Sequence, residues 1–308
     1  MVSYIFERLP QNPIIRAGQH PAVGDNVNGP SLIRVPDWVP DPLGRYYLYF
    51  SHHVGASIRL AVADDIAGPW RVHDAGAFAL EHSGFDGHIA SPDAVVVEER
   101  SEIRLYFHGC FNPGRRRQFT RLAISRNGVD FQVRPEILGP PYWRVFRHEG
   151  FWYALAMPGR LLRSKDGLSD FELGPDVLAP NTRHSAVLLN GNELLVFYSK
   201  WGDCPERIQM RSIALDGDWR SWAAGQESEV LCPGHEWEGS HRPLQPSRKG
   251  AVDQPEHQLR DPCLYREGNE LFLLYACAGE SGIGIARARE TKLRAADPNT
   301  AESHRIRP

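Results

Sequence analysis

The chain has 308 residues, 42% of them hydrophobic and 24% charged, with a formal net charge of -3 at pH 7. A chain of this length buries a large core and reads as one all-β domain. No basic field exists to gather a polyanion, which excludes nucleic acid as a partner, and no stretch approaches the roughly 18 apolar residues of a membrane helix. The first thirteen residues carry Glu7 and Arg8 and no long apolar run, unlike a secretory leader. Cys110, Cys204, Cys232, Cys263 and Cys277 form no Cys-x-x-Cys pair. They read as reduced, mostly buried thiols of a cytoplasmic protein.

From residue 25 the chain repeats one unit about five times. First strands open at 29–33, 91–95, 142–146, 183–187 and 260–264. Second strands, rich in aromatic and branched residues, follow at 45–50, 102–107, 151–156, 193–198 and 270–275. Turn residues such as Asn190-Gly191-Asn192 and Glu267-Gly268-Asn269 join the two as hairpins. Third strands occupy 58–63, 120–125, 160–164, 208–213 and 283–288. After four of them a polar turn leads to an aromatic, Trp70, Phe131, Phe171 or Trp219, placed to pack between strands. Periods of tens of residues with this strand order are the mark of propeller blades. The expected fold is a five-bladed β-propeller spanning 1–308. Its blades lie near 25–75, 88–135, 140–174, 180–222 and 258–290, and the first-strand starts gather at a central funnel.

Residues 225–258 break the rhythm with four prolines, His235, Trp237, His241 and His257. So long a loop is uncommon unless functional. It reads either as a cover over the funnel with Trp237 as a stacking platform, or as a plain edge insertion. Residues 291–296 are the nearest approach to a helix, Arg115-Arg116-Arg117 reads as a solvated loop, and the polar tail from 295 reads as frayed.

These repeats resemble the five-bladed propeller glycoside hydrolases, the group that includes families 43, 32, 68 and 117, over about residues 12–289. Ser91-Pro92-Asp93 is similar to the Ala-Pro-Asp that opens blade two in family 43, whose Asp tunes the catalytic acid. Thr182-Arg183-His184-Ser185 is similar to the blade-four Gly-His-x-Ser segment, and Arg260-Asp261-Pro262 to the Arg-Asp-Pro of family 32. Two positions depart. Gly29 stands where family 43 carries its general base, and Gly139-Pro140-Pro141-Tyr142 offers no acid where that family carries one. The family triad is not intact.

Hydrolysis of a glycosidic bond needs one carboxyl group that donates a proton and one that attacks or activates water. Asp93, Asp261 and Glu280 are the candidate catalytic carboxylates, with Asp25 as a possible replacement base and Asp86, Asp203 and Glu206 also near the funnel. Asp93 and Asp261, each beside a proline at a strand start, would face one another across a substrate. Each could equally tie a turn. Arg144, Arg183, Arg260, His53, His88, His184, Trp143 and Trp201 are the candidate substrate-binding residues, with His52, His108 and Trp38 close by. The spacing supports no metal site. No cofactor is expected, and an ion on the propeller axis, such as calcium, is left open. Three readings follow. A glycosidase acting on a small oligosaccharide or a glycoside, such as a furanoside, predicts two carboxylates across an open funnel. A carbohydrate-binding propeller without catalysis predicts acids that are all ion-paired. A sialidase-like or lyase-like enzyme on an acidic sugar predicts unpaired arginines converging on one spot. The sequence does not specify an oligomeric state.

Overall fold

Alternation within the second strands explains how the sheets stack. Every residue of Tyr46–Ser51 is buried, and successive side chains leave opposite faces of a strand. Tyr46, Leu48 and Phe50 therefore pack with Leu274 and Ile285 on one side. Tyr47 and Tyr49 pack with Leu105 and Phe107 on the other. The same division recurs in each repeat, so the core consists of five apolar clusters, one between each pair of neighbouring sheets. The computed structural model, which describes residues 2–112 and 117–292, is a five-bladed β-propeller of four-stranded antiparallel sheets, the last blade carrying in addition the short strand Ile15–Arg16.

Blade one comprises Asn28–Arg34, Tyr46–Ser51, Ser57–Ala63 and Arg71–Ala79. Blade two comprises His88–Val97, Glu102–Cys110, Phe119–Ser125 and Gln132–Val133. Blade three runs through Arg144–His148, Phe151–Ala156, Arg160–Ser164 and Glu172–Asp176. Blade four has Thr182–Asn190, Glu193–Lys200, Ile208–Ala214 and Ser228–Leu231. Blade five has Leu259–Glu267, Glu270–Cys277 and Gly282–Lys292. Its fourth strand is Val2–Arg8, which pairs antiparallel with Gly282–Lys292 from Val2 opposite Lys292 to Arg8 opposite Ala286. The ring is thus closed by the start of the chain. Phe6 of this strand packs edge-on to Phe197 of blade four.

Three expectations need correction. The segment read as a loop from 225 contains Ser228–Leu231, the edge strand of blade four, held by pairs such as Ile208 opposite Leu231. Residues 291–292 extend a strand instead of starting a helix; 293–296 and the tail lie outside the described residues, as do Arg115 and Arg116. Trp237 does not reach the funnel. It stacks between His235 and Tyr275, at 5.7 and 6.4 Å between ring centroids, on the flank of blade five.

One local device positions the site. In four blades the first strand slips register near its start, between Asn28 and Ser31, Ala90 and Asp93, Thr182 and Ser185, and Arg260 and Cys263. Such a bulge re-aims side chains at the end of a strand. Gly29, Ser91 and Asp261 take left-handed φ values of 58, 48 and 47° there, and Tyr142 takes 63° just before blade three begins.

Candidate active site

The bulged ends open onto a cavity of about 1140 Å³, walled by all five blades and by Lys249 and Gly250 of the long loop. Asp261, Glu280, Arg183, His184, Arg260, His53 and Trp201 all line it. Sequence reasoning singled out each of these, and the structure brings them together. The loop does reach the funnel, through residues 249–250 instead of Trp237.

The charges at this mouth are paired in a chain. Glu280 accepts hydrogen bonds from Asn26 at 2.6 Å and Arg260 at 3.1 Å, and its Oε1 lies 2.9 Å from His53 Nδ1. Burial opposes its ionisation, but the bond and charge of His53, with Arg260, outweigh that and hold its pKa below the ordinary value. Glu206 is fully buried beneath the cavity, with Arg183 Nε at 2.7 Å, Arg260 Nε at 3.4 Å and the Ser199 hydroxyl at 2.7 Å. Its pKa is raised, because burial there exceeds the pull of the two arginines. Asp261 Oδ1 pairs closely with His184 Nδ1, though not in the alignment of a hydrogen bond. Burial opposes Asp261 as well, yet His184, then Arg260 and Arg183, hold its pKa far below the usual carboxylate range. Burial lowers the pKa of His184 in turn, against the pull of Asp261.

The guanidiniums are equally committed. Arg183 bonds the carbonyls of Arg248 and Gly250 besides Glu206. Arg260 bonds Gln258 and Gly250 besides its two glutamates. Arg144 leaves the cavity altogether. It crosses the axis beneath and donates to the carbonyls of Ser185 at 2.9 Å, Pro92 at 2.7 Å, Pro30 at 3.1 Å and Pro262 at 3.4 Å. One side chain from blade three thereby ties the other four blades together.

The remaining candidates fall elsewhere. Asp93 accepts from Val145 N–H at 2.7 Å and Arg144 at 3.4 Å and lines a second cavity at the opposite mouth. Asp93 and Asp261 therefore do not face one another across one cavity. Asp25 is 96% exposed beside His52, and Asp86 is exposed. Asp203 accepts from Gln209 at 3.2 Å. Trp143 is core, 4.5 Å from Phe171 between ring centroids. His88 contacts Cys110 Sγ at 3.2 Å and Gln118 at 3.2 Å. Trp38 bonds Glu98 and lines the opposite mouth. Sequence reasoning passed over Ser91, Asn26 and Tyr142. Tyr142 lies against the rings of His184 and His108, at 4.0 and 3.9 Å between centroids. The available signal was position: Ser91 and Tyr142 stand where Asp261 stands in their repeats. Among the described residues no group of three or more His, Cys, Asp or Glu side chains is arranged to hold a metal ion.

Blade count, closure and funnel define the fold of the family-43-type propeller glycoside hydrolases. A glycosyl hydrolase of Bacteroides ovatus superposes with a TM-score of 0.65 at 11% identity, covering 92% of each chain. A GH43 β-xylosidase/α-arabinofuranosidase from a compost microbial metagenome, in complex with xylotriose, gives 0.62 at 13% identity, covering 94% of this chain and 96% of that one. The GH43_1 enzyme of Xanthomonas citri, also with xylotriose, gives 0.59 at 12%, covering 85% and 86%. No family model matches the sequence. The chain belongs to the same family as the uncharacterized protein R118 of Acanthamoeba polyphaga mimivirus, with which it is 32% identical over 317 aligned positions, 91% of this chain and 89% of that protein.

Proposed function

We propose that this protein is a carbohydrate-active hydrolase that takes a small oligosaccharide or glycoside into the funnel cavity and cleaves a glycosidic bond there. The observation that carries the reading is that Asp261 and Glu280, two ionised carboxylates, wall one cavity, each in contact with a histidine on the same wall. An ionised carboxylate suits the base or nucleophile of such a reaction, and the histidine beside it suits proton transfer to or from the sugar oxygen. Xylotriose bound to proteins of this fold supports a sugar of that size. The five thiols, none in a disulfide, suit a reducing compartment such as the cytoplasm.

One observation favours a second reading. Asp261, Glu280 and Glu206 are all ion-paired, as expected of a funnel that binds sugar without cutting it. The guanidiniums of Arg183 and Arg260 are both taken up by carboxylates and carbonyls, which argues against an acidic sugar held by these two. Hydrolysis of nitrophenyl furanosides, pyranosides and uronides separates the readings. Turnover that falls about 100-fold or more in Asp261→Asn or Glu280→Gln, with the fold intact, supports the hydrolase. Xylotriose binding with no turnover on any substrate supports the binding propeller.

A further inference from the structure

His184 has a second partner opposite Asp261. Ser91 Oγ lies 3.3 Å from His184 Nε2, while Asp261 holds Nδ1 of the same ring. The three residues come from the first strands of blades two, four and five. Bulges in all three strands bring them together, with His184 and Asp261 lining the cavity and Ser91 behind His184. Hydroxyl, imidazole and carboxylate in this order form the relay that activates a serine for attack on a carbonyl, and it is recognised by geometry, not by fold. Ser91 is held at a φ of 48°, a conformation costly for a side-chain-bearing residue that persists only where its surroundings enforce it. The Tyr142 ring lies against the imidazole and limits its rotation. Gly29 faces Ser91 from blade one. A Cβ there would stand 3.0 Å from Ser91 Cα and 3.3 Å from Ser91 Oγ, so the two strands approach closely only because residue 29 is a glycine.

We propose that Ser91, His184 and Asp261 form an acyl-transfer relay that removes a small acyl group, such as acetyl, from a sugar hydroxyl. The substrate class rests on the carbohydrate reading of the cavity; the chemistry does not rest on glycosidic cleavage. Ser91 Oγ attacks the ester carbonyl carbon as His184 Nε2 takes the hydroxyl proton, and the imidazolium so formed is paired with Asp261 through Nδ1. Collapse of the tetrahedral intermediate breaks the bond from carbonyl carbon to sugar oxygen. His184 returns the proton to that oxygen, which leaves as the free hydroxyl. A water molecule then attacks the acyl-serine by the same route, releasing the carboxylic acid and restoring Ser91. Burial lowers the pKa of His184, the direction a base near pH 7 requires. The Ser91 N–H is committed to Ser51 Oγ at 3.0 Å and residue 92 is a proline without an N–H, so side-chain donors must meet the oxyanion. Covalent capture of the serine is therefore a more direct readout than turnover.

Ser91 is 4% exposed, which calls for a small electrophile. The full chain is treated with methanesulfonyl fluoride, and the adduct is located by mass spectrometry, beside Ser91→Gly, a substitution the left-handed backbone accommodates. One adduct on Ser91, absent from the glycine variant, together with p-nitrophenyl acetate hydrolysis that falls at least 100-fold in that variant, is the expected result. Ser91→Cys is expected to alkylate with iodoacetamide faster than the exposed Cys204. Wild-type protein that binds xylotriose but carries no adduct at Ser91 overturns the relay and leaves the carbohydrate site standing. Labelling at Ser91 without sugar binding upholds the relay and overturns the carbohydrate reading.

Discussion

The two mouths of the axial channel are built from the same strands and hold different chemistry. At the wide mouth Asp261, Glu280 and Glu206 share His184, His53, Arg183 and Arg260 in one paired network. At the opposite mouth a cavity of about 650 Å³ holds the buried pair of Asp93 and Arg144, with Trp38 on its rim. Single triplets feed both ends. In Ser91-Pro92-Asp93 the serine meets His184 and the aspartate faces the far cavity. In Asp261-Pro262-Cys263 the aspartate lines the wide mouth and the cysteine the other. Residues two apart on a regular strand share a face; across a bulge they serve opposite ends of the axis. What an acid can do here depends on its place along that axis, more than on its closeness to the funnel in sequence.

Arg144 is the partition between the mouths, so its removal is expected to have the largest effect. Arg144→Met strands several buried carbonyls and Asp93 together, at a cost of about 5 kcal/mol in urea denaturation or loss of folded protein altogether. A loss under about 1 kcal/mol would mean that water replaces the guanidinium and that the two mouths communicate. Next comes Glu280→Gln, which removes a carboxylate from His53 and Arg260 while Glu206 still neutralises Arg260. About 3 kcal/mol is expected, along with weakened xylotriose binding in calorimetry. Unchanged binding would show that the network serves the fold alone.

Asp93 sharpens the contrast through pH. Burial raises its pKa from 3.8 to about 6, against the pull of Arg144 and Val145 N–H, whereas Asp261 is depressed. The folded state thus holds the Asp93 proton more tightly than the unfolded state. Its favourable contribution is complete below the unfolded value and is lost as pH rises through about 6. Wild type should lose up to about 3 kcal/mol relative to Asp93→Asn between pH 4 and pH 7.5, two pKa units' worth, read from urea midpoints. A gap that does not move with pH would mean that Arg144 cancels the burial cost. The smallest effect is expected for Trp38→Ala, about 1 kcal/mol from a partly buried ring, with no change in sugar affinity, since Trp38 lines the other mouth.

The repeats were legible because their signals are local. Aromatic second strands and Gly or Asn turns announce hairpins wherever they occur. The strand Val2–Arg8 was not legible as part of a blade, because its partner lies at the far end of the chain. Ser228–Leu231 was hidden among glycines and prolines. Of the candidate residues, Asp261, Glu280, His184 and His53 reach the cavity, since a strand start or an adjoining loop suffices to place them there. Trp143 gives no such clue: an aromatic beside a bulge packs in the core or faces a ligand according to which neighbouring blade it meets.

The sequence by itself determined the number of blades, the order of strands within each and the level at which polar residues gather, for alternation and turn chemistry act over a few residues. Tertiary structure alone decided the ring closure, the partition by Arg144 and the meeting of Ser91 with His184 across 93 positions and of Asn26 with Glu280 across 254. Those contacts depend on how five twisted sheets close around an axis, and no local pattern encodes which side chains then face one another.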